Sequence, residues 1–140
     1  METWRGVIAE LEELGHPRDR LAIGGKSLGG RIATMVAADQ GIAAVVCLGY
    51  PFHPPGRSEL TRIAPLETIK TPTLICQGER DPFGSFEEVT GCYQLSPMVQ
   101  LHWLADGDHS FRPRKRSGLR EAQNWDSAMD AIRSFLVNLG

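Results

Sequence analysis

The sequence predicts an α/β fold, with about four parallel strands in one sheet and helices layered against it. Three observations carry that expectation. Short apolar runs of strand length are separated by segments whose apolar residues recur at helical spacing. The run Ala43-Ala44-Val45-Val46-Cys47-Leu48 contains no polar position, as expected of a parallel strand covered on both faces. Strand-like and helix-like segments also alternate, which is the order that winds parallel strands through helical crossovers. At 140 residues, with no repeat, low-complexity stretch or linker, residues 1–140 read as a single domain. A chain of this size buries roughly two-thirds of its unfolded surface.

The elements follow in order. Trp4, Val7, Ile8, Leu11 and Leu14 share one helical face, and Gly15-His16-Pro17 stops that helix, expected over 3–14. Residues 21–24 form the first strand. The next helix covers 28–39, with Ile32, Ala33, Val36 and Ala37 on one face and Gly41 as its terminator. After the strand at 43–48, the segment Gly49-Tyr50-Pro51-Phe52-His53-Pro54-Pro55-Gly56 is too rich in proline for regular structure and reads as a stiff loop. Residues 58–69 suggest a short helix interrupted at Pro65. The third strand is 73–77, closed by the turn Gly78-Glu79-Arg80-Asp81-Pro82. Phe86, Val89, Cys92, Tyr93 and Leu95 mark a helix, and 99–104 is the fourth strand. Trp125, Ala128, Met129, Ile132, Phe135 and Leu136 give the clearest helical stripe, over 124–139.

Composition narrows the function classes. A formal net charge of −2 gives no general attraction to nucleic acid or to an acidic membrane surface. The basic run Arg112, Arg114, Lys115, Arg116 and Arg120 lacks interleaved aromatic platforms and reads as a solvated loop. No apolar run approaches a membrane span, and the first residues have no signal-peptide pattern, so a cytoplasmic location is the default. Three cysteines without Cys-x-x-Cys spacing argue against a disulfide framework and against a zinc site. Neither a metal nor an organic cofactor is expected. Cys47 and Cys76 read as small core residues.

Chemistry is expected at the carboxyl ends of the strands. There the pattern Gly-x-Ser-x-Gly runs from Gly25 through Ser27 to Gly29. A strand that reverses into a helix within a few residues forces the intervening serine into a backbone conformation strained by about 1–3 kcal/mol. Gly25 and Gly29 are expected to leave space for that turn. Asp81 follows the third strand and His109 the fourth. Serine needs a base, for which imidazole is well matched, and a carboxylate on the far ring nitrogen fixes the tautomer. Glu79 and Asp108 are rival acids, and His16, His53 and His102 are rival bases in poorer positions. Lys26 stands beside Ser27 and is either a solvated lysine or an attractor of a substrate carboxylate. Tyr50, Phe52, Phe83 and Phe111 are candidates to line an apolar pocket above Ser27, with His53 near enough to touch substrate.

Gly24-Gly25-Lys26-Ser27-Leu28-Gly29-Gly30-Arg31, the loop at 49–56, Gln77-Gly78-Glu79-Arg80-Asp81-Pro82-Phe83-Gly84 and Gly107-Asp108-His109-Ser110-Phe111 span nearly the whole chain. Together, in this order, they resemble the α/β-hydrolase superfamily, specifically its small, lidless, dienelactone-hydrolase-like bacterial members. The resemblance implies a three-layer sandwich, nucleophile Ser27, acid Asp81, base His109 and an oxyanion donor in the Leu28 N–H. Members of the family carry further strands upstream of the nucleophile strand, including the loop that supplies a second oxyanion donor. Here one helix precedes that strand, which implies an N-terminally truncated form of the fold. An unpaired apolar edge at 21–25 is then expected, with a homodimer through that edge as its consequence. The functional expectation is a serine hydrolase acting on a small ester, lactone or thioester. The alternative is a non-catalytic hydrolase-like binding or scaffold module.

Overall fold

The computed structural model describes residues 2–139. In chain order its elements are α1 (Glu2–Glu13), β1 (Ala22–Lys26), α2 (Leu28–Gln40), β2 (Ala44–Leu48), α3 (Ala64–Thr68), β3 (Thr73–Gly78), α4 (Phe86–Cys92), β4 (Val99–Leu104) and α5 (Glu121–Val137). The strands form one parallel sheet in the order β1-β2-β3-β4. Its register aligns Lys26 with Leu48 and Gly78 with Leu104, so the carboxyl ends of all strands open on one side of the molecule.

Alternation along the strands builds two cores. Val45, Cys47 and Ile75 face Ile8, Ala33, Val36, Ala37, Leu66 and Val89 from α1, α2, α3 and α4. Ala44, Leu74, Cys76 and Leu104 face Ala128 and Phe135 of α5. Helices therefore cover both faces, and the apolar run of β2 is explained by having a core on each side. Each fully buried aliphatic side chain contributes about 1.5–3 kcal/mol. In α1 only Ile8 is fully buried. Ion pairs from Arg5 to Asp39 and from Arg18 to Glu12 supplement that single anchor.

Several boundaries differ from the sequence reading for identifiable reasons. β1 runs through Gly24 and Gly25 instead of stopping there. A side chain at position 24 would place its Cβ 2.3 Å from Val46 O, so this glycine allows close strand approach and does not break the strand. Pro65 lies in the first turn of α3, where its missing N–H costs nothing; the helix starts at Ala64 instead of being interrupted at the proline, and residues 58–63 stay outside it. α4 ends at Cys92 because Tyr93 is extended. α5 begins earlier than its apolar stripe, since Gln123 Oε1 accepts the Arg120 N–H at 2.7 Å and closes the first turn. Gly41, left-handed at φ 66°, terminates α2 as expected.

Candidate active site

Ser27 is the single residue between β1 and α2, and its backbone sits at φ 52°, ψ −117°. Such a conformation costs about 1–3 kcal/mol in a non-glycine residue and persists only where the surroundings fix it. They do so here: the Ser27 N–H donates to Leu48 O at 2.9 Å, and Ser27 O accepts the Arg31 N–H at 3.1 Å. A Cβ on Gly25 would lie 2.6 Å from the carbonyl carbon of Gly29, so the turn requires a glycine there. At Gly29 a Cβ would meet nothing within 4 Å, whereas at Gly30 it would lie 2.8 Å from Gly25 O and 3.1 Å from the Cys47 Cβ. The spatial demand thus falls on Gly25 and Gly30, and the expectation for Gly29 is corrected.

His109 Nε2 lies 2.9 Å from Ser27 Oγ, and His109 Nδ1 lies 2.8 Å from Asp81 Oδ2. A carboxylate only accepts, so Nδ1 carries the proton and Nε2 faces the serine hydroxyl as an acceptor. The Asp81 side chain is fully buried, and its other oxygen accepts the Phe83 N–H at 2.8 Å. Both carboxylate oxygens therefore have partners. The His109 loop is held by Asp108, whose Oδ1 accepts the N–H groups of Ser110 at 2.8 Å and Arg112 at 2.9 Å. Glu79 Oε1 accepts the Asp106 N–H at 2.8 Å. The two rival acids are thus committed to shaping the loop that carries His109.

The remaining candidates separate into those at the site and those beneath it. The Phe83 ring lies 4.2 Å from the His109 ring, centroid to centroid, and stays partly exposed. Lys26 is exposed and adjoins Ser27 in the chain, and its Nζ lies 3.4 Å from the Oγ of Ser110, the neighbour of His109. Leu28 is the first residue of α2, where the N–H has no carbonyl one turn back to bond. Tyr50 and Phe52 are fully buried and do not line a pocket. Tyr50 donates its hydroxyl to Arg62 O at 2.8 Å, and Phe52 stacks on Tyr93. Phe111 is also buried, packed on Trp125 in the α5 core, and its left-handed backbone lets it anchor the His109 loop from below. His53 is buried between Pro54 O at 2.8 Å and Glu88 Oε2 at 2.9 Å, so it is a structural clasp and not a substrate contact. These four expectations are overturned because loop length and composition do not reveal which way an aromatic or imidazole ring turns.

The other groups near the site are chemically quiet. Burial pushes the thiols of Cys47 and Cys76 up to about 12. His102 bonds Ser127 Oγ at 2.8 Å in the clefts of about 460 and 550 Å³ beside α5, away from Ser27. In the basic run, Arg114 forks onto Asp106, which also meets Arg80, and Arg112 reaches Glu121 at 3.5 Å. Among the described residues no group of three or more His, Cys, Asp or Glu side chains converges as metal ligands. None of the described helices is long and apolar enough to cross a membrane.

Sequence reasoning missed Gln77 and Gly49. Gly49 is left-handed at φ 69°, and a Cβ on it would lie 3.2 Å from His109 Cε1. Gln77 is fully buried at the end of β3, where a lone amide closing an otherwise apolar run was the available signal.

Comparisons with known proteins bear on the fold and the family. The model of the family described as "Alpha/beta hydrolase domain" matches residues 1–137. A carboxymethylenebutenolidase from Pseudomonas sp. (strain P51) is 33% identical over 94 residues, which are 65% of this chain and 37% of that protein. An alpha-beta serine hydrolase homologue from Coxiella burnetii superposes with a TM-score of 0.64 at 20% identity, covering 98% of this chain and 57% of the other. The esterase domain of a Rhodothermus marinus protein gives a TM-score of 0.59 at 20% identity, covering 77% and 58% respectively. The chain thus spans less than two-thirds of the length of each of these relatives.

Proposed function

This chain belongs to the α/β hydrolase domain family, and from that premise we propose that it is a serine hydrolase cleaving a small ester, lactone or thioester through an acyl-enzyme on Ser27. The observation that carries the proposal is the continuous chain of contacts from Ser27 Oγ through His109 to Asp81, at 2.9 and 2.8 Å. As Oγ attacks the substrate carbonyl carbon, its proton passes to His109 Nε2. The imidazolium so formed is stabilised by Asp81. The carbonyl oxygen becomes an oxyanion beside the free N–H of Leu28, at the positive end of α2. Collapse of the tetrahedral adduct breaks the bond to the leaving alkoxide or thiolate, which takes the proton from Nε2. Water, deprotonated by the same nitrogen, then cleaves the acyl-enzyme and releases the acid.

The proposed substrate is small, in keeping with the short loops that flank the half-buried Ser27. Phe83 offers an apolar wall on the His109 side, and Lys26 offers a cation to an acyl group bearing a carboxylate. The name of the Pseudomonas relative, carboxymethylenebutenolidase, agrees with a lactone among the candidates.

Turnover of p-nitrophenyl acetate tests the assignment of the base. Wild type is expected to hydrolyse it, and His109→Ala to lose about 10³-fold or more. Retention of turnover in a folded His109→Ala protein would reject this mechanism. A folded wild type without turnover would favour the binding-module reading.

A further inference from the structure

The imidazole of His109 is touched by two segments that are distant in sequence. Gly49 lies against its Nδ1 and Cε1 atoms, where an added Cβ would stand 3.3 and 3.2 Å away. The Phe83 ring packs on it at 4.2 Å and 31°. The segment at 49–50 follows β2 and is still tied to β3 by the Gly49 N–H, which donates to Cys76 O at 2.9 Å, whereas the segment at 81–84 lies past the end of β3; backbone joins the two segments where the His53 N–H donates to Phe83 O at 3.1 Å.

One side chain bridges the two segments as well. Gln77 points from β3 into the α2-side core, on the same face as Ile75. Its Nε2 donates to Tyr50 O at 3.1 Å and to Gly84 O at 3.0 Å, and its Oε1 accepts the Tyr50 N–H at 2.8 Å. Both amide hydrogens and the amide oxygen are therefore in use, without a competing solvent contact. The amide orientation is settled by these partners, since a flip would set the oxygen against two carbonyls and the NH₂ against an N–H. Gly84 also donates its N–H to Asp81 O at 3.0 Å, so the 81–84 turn is closed on itself and Gln77 holds it at one end.

We infer that Gln77 is a positioning residue: acting with those two backbone bonds, it clasps Tyr50 to Gly84, sets the separation of Gly49 and Phe83, and thereby holds the His109 ring in line with both Asp81 and Ser27. This rests on the reading of His109 as the base. It adds a requirement that reading does not contain, namely an uncharged amide with two donors and one acceptor at the end of β3. Leucine fills the volume but leaves Tyr50 N, Tyr50 O and Gly84 O without partners. Glutamate keeps the shape, yet as a carboxylate it confronts two carbonyl oxygens and pushes the segments apart. Asparagine keeps the amide on a stem one methylene shorter and reaches at most one segment.

The test compares wild type with Gln77→Leu, Gln77→Glu and Gln77→Asn. The first readout is the downfield proton resonance of the His109 Nδ1–H, assigned by its loss in His109→Ala, which needs no turnover. The second is the rate of fluorophosphonate labelling per folded molecule, with folding established by cooperative thermal unfolding. The expected result is a lost or strongly shifted resonance and labelling slowed by about a hundredfold in Gln77→Leu. Gln77→Glu is expected to recover part of the resonance as the pH is lowered and its carboxyl becomes a donor. An unchanged resonance in folded variants would overturn the inference, as would loss of cooperative folding in all three, which would make Gln77 a general fastener of the core. If wild type shows the resonance but Ser27 is not labelled, the hydrolase reading fails while the resonance still decides the role of Gln77.

Discussion

Asp81 accepts the backbone N–H of Phe83 on one carboxylate oxygen and meets the ring of His109 with the other, each at 2.8 Å. The first bond orients the second, because a buried carboxylate fixed by its own turn cannot rotate away from the imidazole. Asp81→Asn keeps the shape, but its NH₂ group would face one of those two N–H donors. Turnover is expected to fall by about 10⁴-fold with little change in KM. Steady-state kinetics on a soluble, folded variant measure this, and a loss below tenfold would detach Asp81 from the chemistry.

The glycines around Ser27 separate by where a methyl group would go. Gly25→Ala and Gly30→Ala press a Cβ onto backbone at 2.6 and 2.8 Å, whereas Gly29→Ala meets nothing within 4 Å. The first two are expected to destabilise by about 1–3 kcal/mol. Gly29→Ala, in the first turn of α2, is expected to be neutral or to stabilise by up to about 1 kcal/mol. Urea titrations rank the three; Gly29→Ala as the most damaging would contradict the geometry.

Acid stability is expected to depend on Asp106. Its side-chain bonds to Arg114, then the Arg114 backbone N–H, hold the carboxyl at about 2, below the ordinary 3.8. A folded value below the unfolded one means stability is present above about pH 4 and is lost as the pH falls through about 2. Melting temperatures of wild type and Asp106→Asn should therefore converge as the pH is lowered through that window. A difference that stays constant throughout it would rule out this contribution.

Most of the element order was legible because strand runs and helical stripes have distinct periods. β4 matches its expected span, residue for residue, because Val99 to Leu104 is bounded by Pro97 on one side and Gly107 on the other. What stayed hidden depended on contacts between distant segments. Gly24 reads as a strand stop until Val46 is placed beside it. Tyr50, Phe52 and Phe111 read as pocket walls until the direction of each ring is known, and the structure turns them into the core. Ser27, Asp81 and His109 were legible because each follows a strand end, and parallel winding brings such ends together. Gln77 offered only a lone amide at the end of an apolar run, because its partners are backbone atoms, which leave no mark in side-chain sequence.

β1 forms one edge of the sheet, with Ala22, Gly24 and Lys26 exposed along it and Val7 exposed on α1. Lys26 places a charge at the end of that edge, while the stretch before it carries neither charge nor proline. Open backbone groups on such a strand are expected to pair with the same strand of a second copy. Sedimentation of the 140-residue chain at roughly tens of micromolar is expected to show a dimer, dissociated by Ala22→Lys. A monodisperse monomer with slow hydrogen exchange over 22–26 would contradict this.

The proposed role of Ser27 is that of a nucleophile made reactive by its turn and by His109. Its most direct measurement is fluorophosphonate labelling followed by intact-mass analysis and peptide mapping. Wild type is expected to gain a single adduct mapped to Ser27, and folded Ser27→Ala to gain none. Equal labelling of Ser27→Ala, or an adduct on another residue, would contradict the account.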